Sequence, residues 1–167
     1  WTAREMRKYD LKFMPILLGP VKYEDVPQNE EEEAILEDCV SRLMRKIGDV
    51  VDYYELMNEP NHSVTPENVA TISGGPINFG RMGRTVKRVR DVYDPTSKLI
   101  GYALTDLAKE AQQEFFDKAI EGGAFEPLDY TSYHPYSYSD LEISGPEKLT
   151  IKWNDYVEEK LGREYDI

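Results

Sequence analysis

The sequence predicts an α/β fold, a fragment of an eight-stranded (β/α)8 barrel, on three observations. Apolar strand-sized runs alternate with amphipathic helical stretches, which implies a parallel sheet. The strands recur about every 30 to 45 residues along a chain of 167. Four and a half such units are present, and a complete barrel takes roughly 250 residues. A doubly wound sheet would show the same alternation. It carries a glycine-rich first turn at a helix start, and neither Gly74-Gly75 nor Gly122-Gly123 fits that fingerprint.

The elements run in order along the chain. Arg4 to Asp10 reads as the last turns of a helix. Leu11 to Leu18 (LKFMPILL) is compact and apolar, the pattern of a buried strand, and Gly19-Pro20 ends it. Asn29 to Ile47 reads as a helix. Asn29 with Glu32 three residues on forms a capping-box pattern, and Leu36, Val40, Leu43, Met44 and Ile47 share one face. Glu30–Glu33 at its start and Arg42, Arg45 and Lys46 near its end suit the helix dipole, so that acid run reads as a solvated helix start. Gly48 is the expected stop. Val50 to Met57 reads as a strand, with a loop rich in Ser, Thr, Gly and Pro after it, up to Ile77. Phe79, Met82, Val86, Val89 and Tyr93 mark a helix stopped by Asp94-Pro95. Leu99 to Leu104 is a strand, Glu110 to Ile120 a helix ended by Gly122-Gly123, and Asp129 to Tyr133 a strand. Glu147 to Leu161 is a helix, with Leu149, Trp153, Tyr156 or Val157, and Leu161 on one face. Tyr165 to Ile167 begins a further strand.

Composition narrows the function. Twenty basic against thirty-two acidic residues give a net charge of −12. That leaves no basic face for nucleic acid, whose binding rests on neutralising phosphates, or for an anionic membrane surface. Uncharged sugars suit it as partners. No run of ~18 apolar residues is present to span a bilayer. The single cysteine, Cys39, excludes an internal disulfide framework. The chain begins at Trp1 without an initiator methionine and ends at the start of a strand, so it is expected to be a piece of a longer protein.

In a barrel the reacting groups sit at the carboxyl ends of strands, and three such ends here are polar. Asn58-Glu59-Pro60-Asn61 comes after the strand ending at Met57. Pro60 disfavours helical dihedrals at Glu59 and predicts an extended conformation, which would hold the carboxyl at the barrel mouth. Apolar and aromatic neighbours there would raise its pKa, as a general acid requires. The same tripeptide could equally be a turn that closes a strand. Ser132-Tyr133-His134-Pro135-Tyr136 is the second end. The chain's two histidines, His62 and His134, both fall just past strand ends, the second with tyrosines at 130, 133, 136 and 138 around it. Tyrosine faces stack on the C–H faces of sugars while the hydroxyl hydrogen-bonds; Tyr130 and Tyr138 also fit plain packing. Thr105-Asp106 is the third, and Asp106 reads best as the cap of the next helix.

These residues together resemble the clan A glycoside hydrolases, retaining enzymes on an eightfold barrel. Tyr54-Glu55-Leu56-Met57-Asn58-Glu59-Pro60-Asn61 is most similar to family 39, the xylosidase and iduronidase family, with the cellulase-like family 5 as the near alternative. The resemblance covers residues 1–167 as part of a catalytic barrel domain, from about strand 3 to the start of strand 7. It implies that Glu59 is the general acid/base of O-glycosyl hydrolysis, that Asn58 binds the sugar 2-hydroxyl, that His134 lies on the substrate side, and that Tyr136 orients the nucleophile. Met57 departs from the aromatic residue many relatives carry, and the long loop from Asn61 to Asn78 departs from compact family 5 patterns. The nucleophilic carboxyl would stand at the end of strand 7, just beyond residue 167; Glu164 and Asp166 lie at the wrong end of that strand. The fragment alone is therefore expected to be inactive. The resemblance implies no metal or other cofactor, and by family habit an extracellular or periplasmic location. Two alternatives stay open: a non-catalytic sugar-binding or degenerate barrel, and a metal-dependent isomerase-like barrel with Glu59, His62 and His134 as ligands.

Overall fold

The structure, a computed structural model, describes residues 2–19, 25–105, 110–134 and 146–162. Four strands form one parallel sheet in the order β1-β2-β3-β4: β1 Ile16–Leu17, β2 Tyr53–Leu56, β3 Lys98–Leu104 and β4 Tyr130–Tyr133. The helices are α1 Thr2–Arg7, α2 Glu30–Ile47, α3 Phe79–Tyr93, α4 Glu110–Glu121 and α5 Pro146–Leu161. Each strand lies beside its sequence neighbour, with no reversal of order. That is the winding of a barrel wall, as expected.

The core lies between one sheet face and the helices. Successive strand residues point to opposite faces. Tyr54, Leu56, Leu99 and Tyr102 are buried, together with Leu36, Val40 and Met44 from α2 and Phe79, Met82, Val86 and Val89 from α3. Phe115 and Phe116 of α4 and Trp153 and Val157 of α5 complete it. Edge-on aromatic contacts knit the layers, Phe79 against Tyr102 at 5.0 Å and Phe116 against Trp153 at 5.5 Å, a geometry set by the ring quadrupoles. Close approach of α3 to the turn after α4 depends on Gly80. A Cβ there would stand 1.9 Å from the Gly122 carbonyl oxygen.

Four expectations need correction. Only Ile16–Leu17 of the Leu11–Leu18 run forms ladder, and Leu11 and Met14 are exposed. Pairing begins where Pro15 O and Leu17 O accept the N–H groups of Glu55 and Met57, at 3.1 and 2.8 Å. The capping box is half made. Asn29 Oδ1 accepts Glu32 N–H at 3.0 Å, but the Glu32 carboxylate reaches past Asn29 and accepts the Gln28 N–H at 2.8 Å. Gly48 is no left-handed stop: its φ is −56°, and the chain runs on into a 3-10 turn, Gly48–Val50. Its missing side chain serves the Asp94 carboxyl, which would lie 3.1 Å from a Cβ. The Lys8–Asp10 stretch is a turn beyond α1, with Asp10 at φ 57°.

The loop from Asn61 to Asn78 is built of turns and two 3-10 segments, Ile72–Gly74 and Pro76–Asn78. Val26 N–H donates to Ser73 O at 3.0 Å, and the Ser73 hydroxyl donates to Pro60 O at 2.9 Å. These bonds tie the segment after β1 to the segment after β2. Gly74 allows the approach, since its φ is 81° and a Cβ would meet the Val26 carbonyl oxygen at 2.7 Å. Among the described residues no helix is long and apolar enough to cross a membrane.

Candidate active site at the carboxyl ends of the strands

Glu59 stands three residues past β2 and His134 one residue past β4. A strand, β3, lies between them in the sheet. Both side chains nonetheless meet, because each backbone is pulled onto the end of β3. The Glu59 N–H donates to Ala103 O at 3.1 Å, and the His134 N–H donates to Leu104 O at 2.9 Å. Glu59 Oε1 and His134 Nδ1 then share a hydrogen bond of 2.6 Å. The second histidine joins from the other side, with His62 Nδ1 3.7 Å from Glu59 Oε2. The Glu59 side chain is 17% exposed, His134 32% and His62 59%. The carboxyl is thus mostly enclosed but reachable.

Glu59 is not extended. Its φ is 50°, and Met57 two residues earlier has φ 62°. Pro60 keeps its predecessor out of the right-handed helical region, but the bond to Ala103 O decides between the remaining conformations. Left-handed backbone in non-glycine residues costs of order 1–3 kcal/mol each and collects at sites where the surroundings hold it. Here two such residues lead into the carboxyl, and a third, Ala103 at φ 49°, lies opposite on β3.

A cleft of about 370 Å³ opens beside the carboxyl, lined by Asp25, Asn58, Glu59, His62, Ser63 and Ser73 with Pro60 and Ile72. Its walls are hydroxyls, an amide, carboxyls and an imidazole, a donor and acceptor set that suits a polyhydroxylated ligand. Asn58 is exposed at its rim. A second hollow of about 410 Å³ lies along the opposite sheet face from the core, between Met14, Tyr53, Glu55, Ile100, Tyr130 and Ser132. The described chain therefore brings Glu59, Asn58 and His134 to one end of the sheet. Tyr136, Asp106 and the Tyr165–Ile167 segment lie outside the described residues.

Sequence reasoning singles out His62 by its place after a strand and as a candidate metal ligand; its 3.7 Å approach to Glu59 puts it in the same cluster. Among the described residues no group of three or more His, Cys, Asp or Glu side chains is arranged to hold a metal ion. Asn61 stands out in the sequence only as the residue after Glu-Pro, yet its carboxamide is fully buried and bonded across to Thr105.

No family model matches the chain, and no curated protein sequence does. Among solved structures, the chain is similar to a family 39 glycoside hydrolase from the gut symbiont Bacteroides cellulosilyticus WH2. The TM-score is 0.55 at 20% identity, over 83% of this chain. The chain spans 28% of that protein's length. The likeness is one of fold: the four-stranded parallel sheet and its helices match part of a glycoside hydrolase barrel.

Proposed function

We propose that this chain carries the acid/base half of a retaining glycoside hydrolase that cleaves O-glycosyl bonds in an oligosaccharide, polysaccharide or simpler glycoside. The observation that carries the reading is the Glu59 carboxyl, set at the carboxyl end of a barrel-type strand, bonded to His134 at 2.6 Å and lining a polar cleft. Such a pairing divides the two oxygens of one carboxyl. Oε1 is tied to the imidazole, and Oε2 is the oxygen on the His62 side, where the cleft lies. A proton delivered from the carboxyl reaches the glycosidic oxygen as the bond to the anomeric carbon breaks. The same group, now a carboxylate, takes a proton from the water that later attacks that carbon.

Double displacement needs a second carboxyl about 5–5.5 Å away to attack the anomeric carbon. In this reading it stands at the end of the next strand, just past residue 167, and residues 1–167 form part of the catalytic domain. Asn58 at the cleft rim offers its amide to the sugar 2-hydroxyl, and His134, in this reading the substrate-side histidine, holds the acid/base through Oε1. Tyr136 would orient the nucleophile. The decisive experiment is Glu59→Ala in a chain extended past Ile167, assayed on aryl glycosides. General acid–base catalysis contributes ~10²–10⁴-fold, so a loss of that size is expected with poor leaving groups and a smaller one with activated leaving groups. Added azide should restore turnover by replacing the activated water, and give a glycosyl azide. Hydrolysis unchanged by Glu59→Ala would end the reading.

A further inference from the structure

The end of β3 works as a template for the whole cluster. Gly101 pairs with Thr131 and Leu104 with Tyr133, so β3 uses three steps where β4 uses two. The extra residue is a bulge, a feature that bends a strand and re-aims the residues beyond it. Tyr102 and Ala103 lie within it, and the Ala103 N–H donates to Ser132 Oγ at 2.7 Å. Three consecutive residues then serve two neighbours. Ala103 O holds Glu59 and Leu104 O holds His134. Thr105 is taken at both of its main-chain groups by one side chain, that of Asn61. Thr105 N–H donates to Asn61 Oδ1 at 2.9 Å, and Asn61 Nδ2 donates to Thr105 O at 3.2 Å. The Thr105 hydroxyl donates to the same Oδ1 at 3.3 Å.

We propose that Asn61 is the positioning residue of the Glu59–His134 pair, an inference that rests on the acid/base reading of Glu59. The regular pairing of β2 with β3 ends at Leu56 and Gly101. Beyond it the chain passes through the left-handed residues Met57 and Glu59; Met57 N–H still donates to Leu17 O on the β1 side, but the regular ladder to β3 is gone. The Asn61 carboxamide presents one donor and one acceptor, as a peptide group does, and re-forms a two-bond bridge to β3 past the strained stretch. Glu59 is thereby pinned on both sides, by its own N–H on Ala103 and by Asn61 on Thr105. Asn61 is fully buried and does not line the cleft, so it acts through Glu59 and not on a ligand. Removing it would leave two main-chain groups of Thr105 without these partners, and buried polar groups left unmade are costly.

The test reads the pair directly, without any assay of hydrolysis. In the 167-residue chain with ¹⁵N-labelled histidine, a bond as short as that between His134 and Glu59 gives a far-downfield imidazole N–H proton signal on Nδ1. Glu59→Ala assigns it by removing it. The expected result is that Asn61→Ala loses or broadens the signal while the far-ultraviolet circular dichroism stays folded. Thr105→Ser, which keeps every atom Asn61 uses, should retain it. Asn61→Asp is the near-isosteric companion: it keeps the acceptor for Thr105 N–H but sets a carboxylate oxygen, which repels Thr105 O, in place of the Nδ2 donor, and the signal should again be lost. A wild-type signal in either folded Asn61 variant overturns the inference, as does its absence from the wild-type chain. Unfolding of both Asn61 variants overturns it too, since Asn61 would then hold the fold and not the pair. Failure of the glycosidase reading shows separately, in the response of hydrolysis to Glu59→Ala.

Discussion

Tyr54 shows how much one side chain can decide locally. It is fully buried, and its hydroxyl donates to Asp94 Oδ2 at 2.9 Å. Burial pushes its phenol well above the usual range, and the hydrogen bond and charge of Asp94 push the same way. Tyr54→Phe removes the donor and leaves the Asp94 carboxyl, itself 5% exposed, short of that partner. An unmade bond of this kind costs about 1–3 kcal/mol, so the midpoint of denaturant unfolding should fall accordingly with an unchanged slope. An unchanged midpoint would remove this bond from the stability of the fold. Residues of this scale are unevenly legible in the sequence. Glu59, Asn58 and His134 can be picked out because position after a strand is a local property. The role of Asn61 cannot, since its partner lies 44 residues away and becomes a partner only through the register of β2 on β3. Its one visible signal is an amide directly after Glu-Pro. The φ of Glu59 escapes for the same reason: a neighbouring proline biases the dihedral, but a bond to another strand sets it.

Between elements, the end of the sheet opposite the site is fixed by a single carboxylate. Asp129, just before β4, accepts from Leu99 N–H at 2.9 Å, from Lys98 Nζ at 3.1 Å and from Arg90 of α3 at 3.2 Å. Burial alone would raise its pKa, but the Leu99 and Lys98 hydrogen bonds and the charges of Arg90 and Lys98 outweigh it and hold the carboxyl below the usual range. A depressed carboxyl stabilises the fold fully above its unfolded value, about 3.9, and that contribution is lost as pH falls through the lower folded value. Asp129→Asn should therefore lower stability at neutral pH and flatten the acid limb below about pH 4. Parallel stability–pH curves for the two proteins would contradict it. At this scale α2, α3, α4 and β3 are legible within a residue or two, because their periodicity reports the face each one buries. β1 is not: apart from Lys12, Leu11–Leu18 is apolar, and composition cannot say which apolar residues find a neighbouring strand. Only the stretch from Pro15 to Leu17 meets β2.

For the whole molecule, the strand beat and the absence of a phosphate-binding turn separate a barrel wall from a doubly wound sheet, and the unreversed order β1-β2-β3-β4 agrees. What the beat cannot convey is how lopsided such a wall is. One face of the sheet is sealed by α2 to α5, with Tyr54, Leu56 and Leu99 fully buried. The other carries the hollow between Met14, Tyr53, Ile100 and Tyr130. Beside it, β1 is an edge whose Ile16 is 46% exposed, with Leu11 and Tyr9 exposed in the preceding segment. Among the described residues β1 borders the sheet; an edge strand with exposed apolar residues is a template for another strand, and an apolar patch favours burial against a partner. The net charge of −12 opposes association, but salt screens it to a range of ~8 Å at physiological ionic strength, while the patch is unaffected. Isolated residues 1–167 should therefore self-associate with rising concentration, and more readily at higher salt. Sedimentation velocity would show this, and Ile16→Lys, which places a charge on the edge, should return the chain to monomer. A chain that stays monomeric at every concentration and salt level would mean that this edge is already satisfied within the protein.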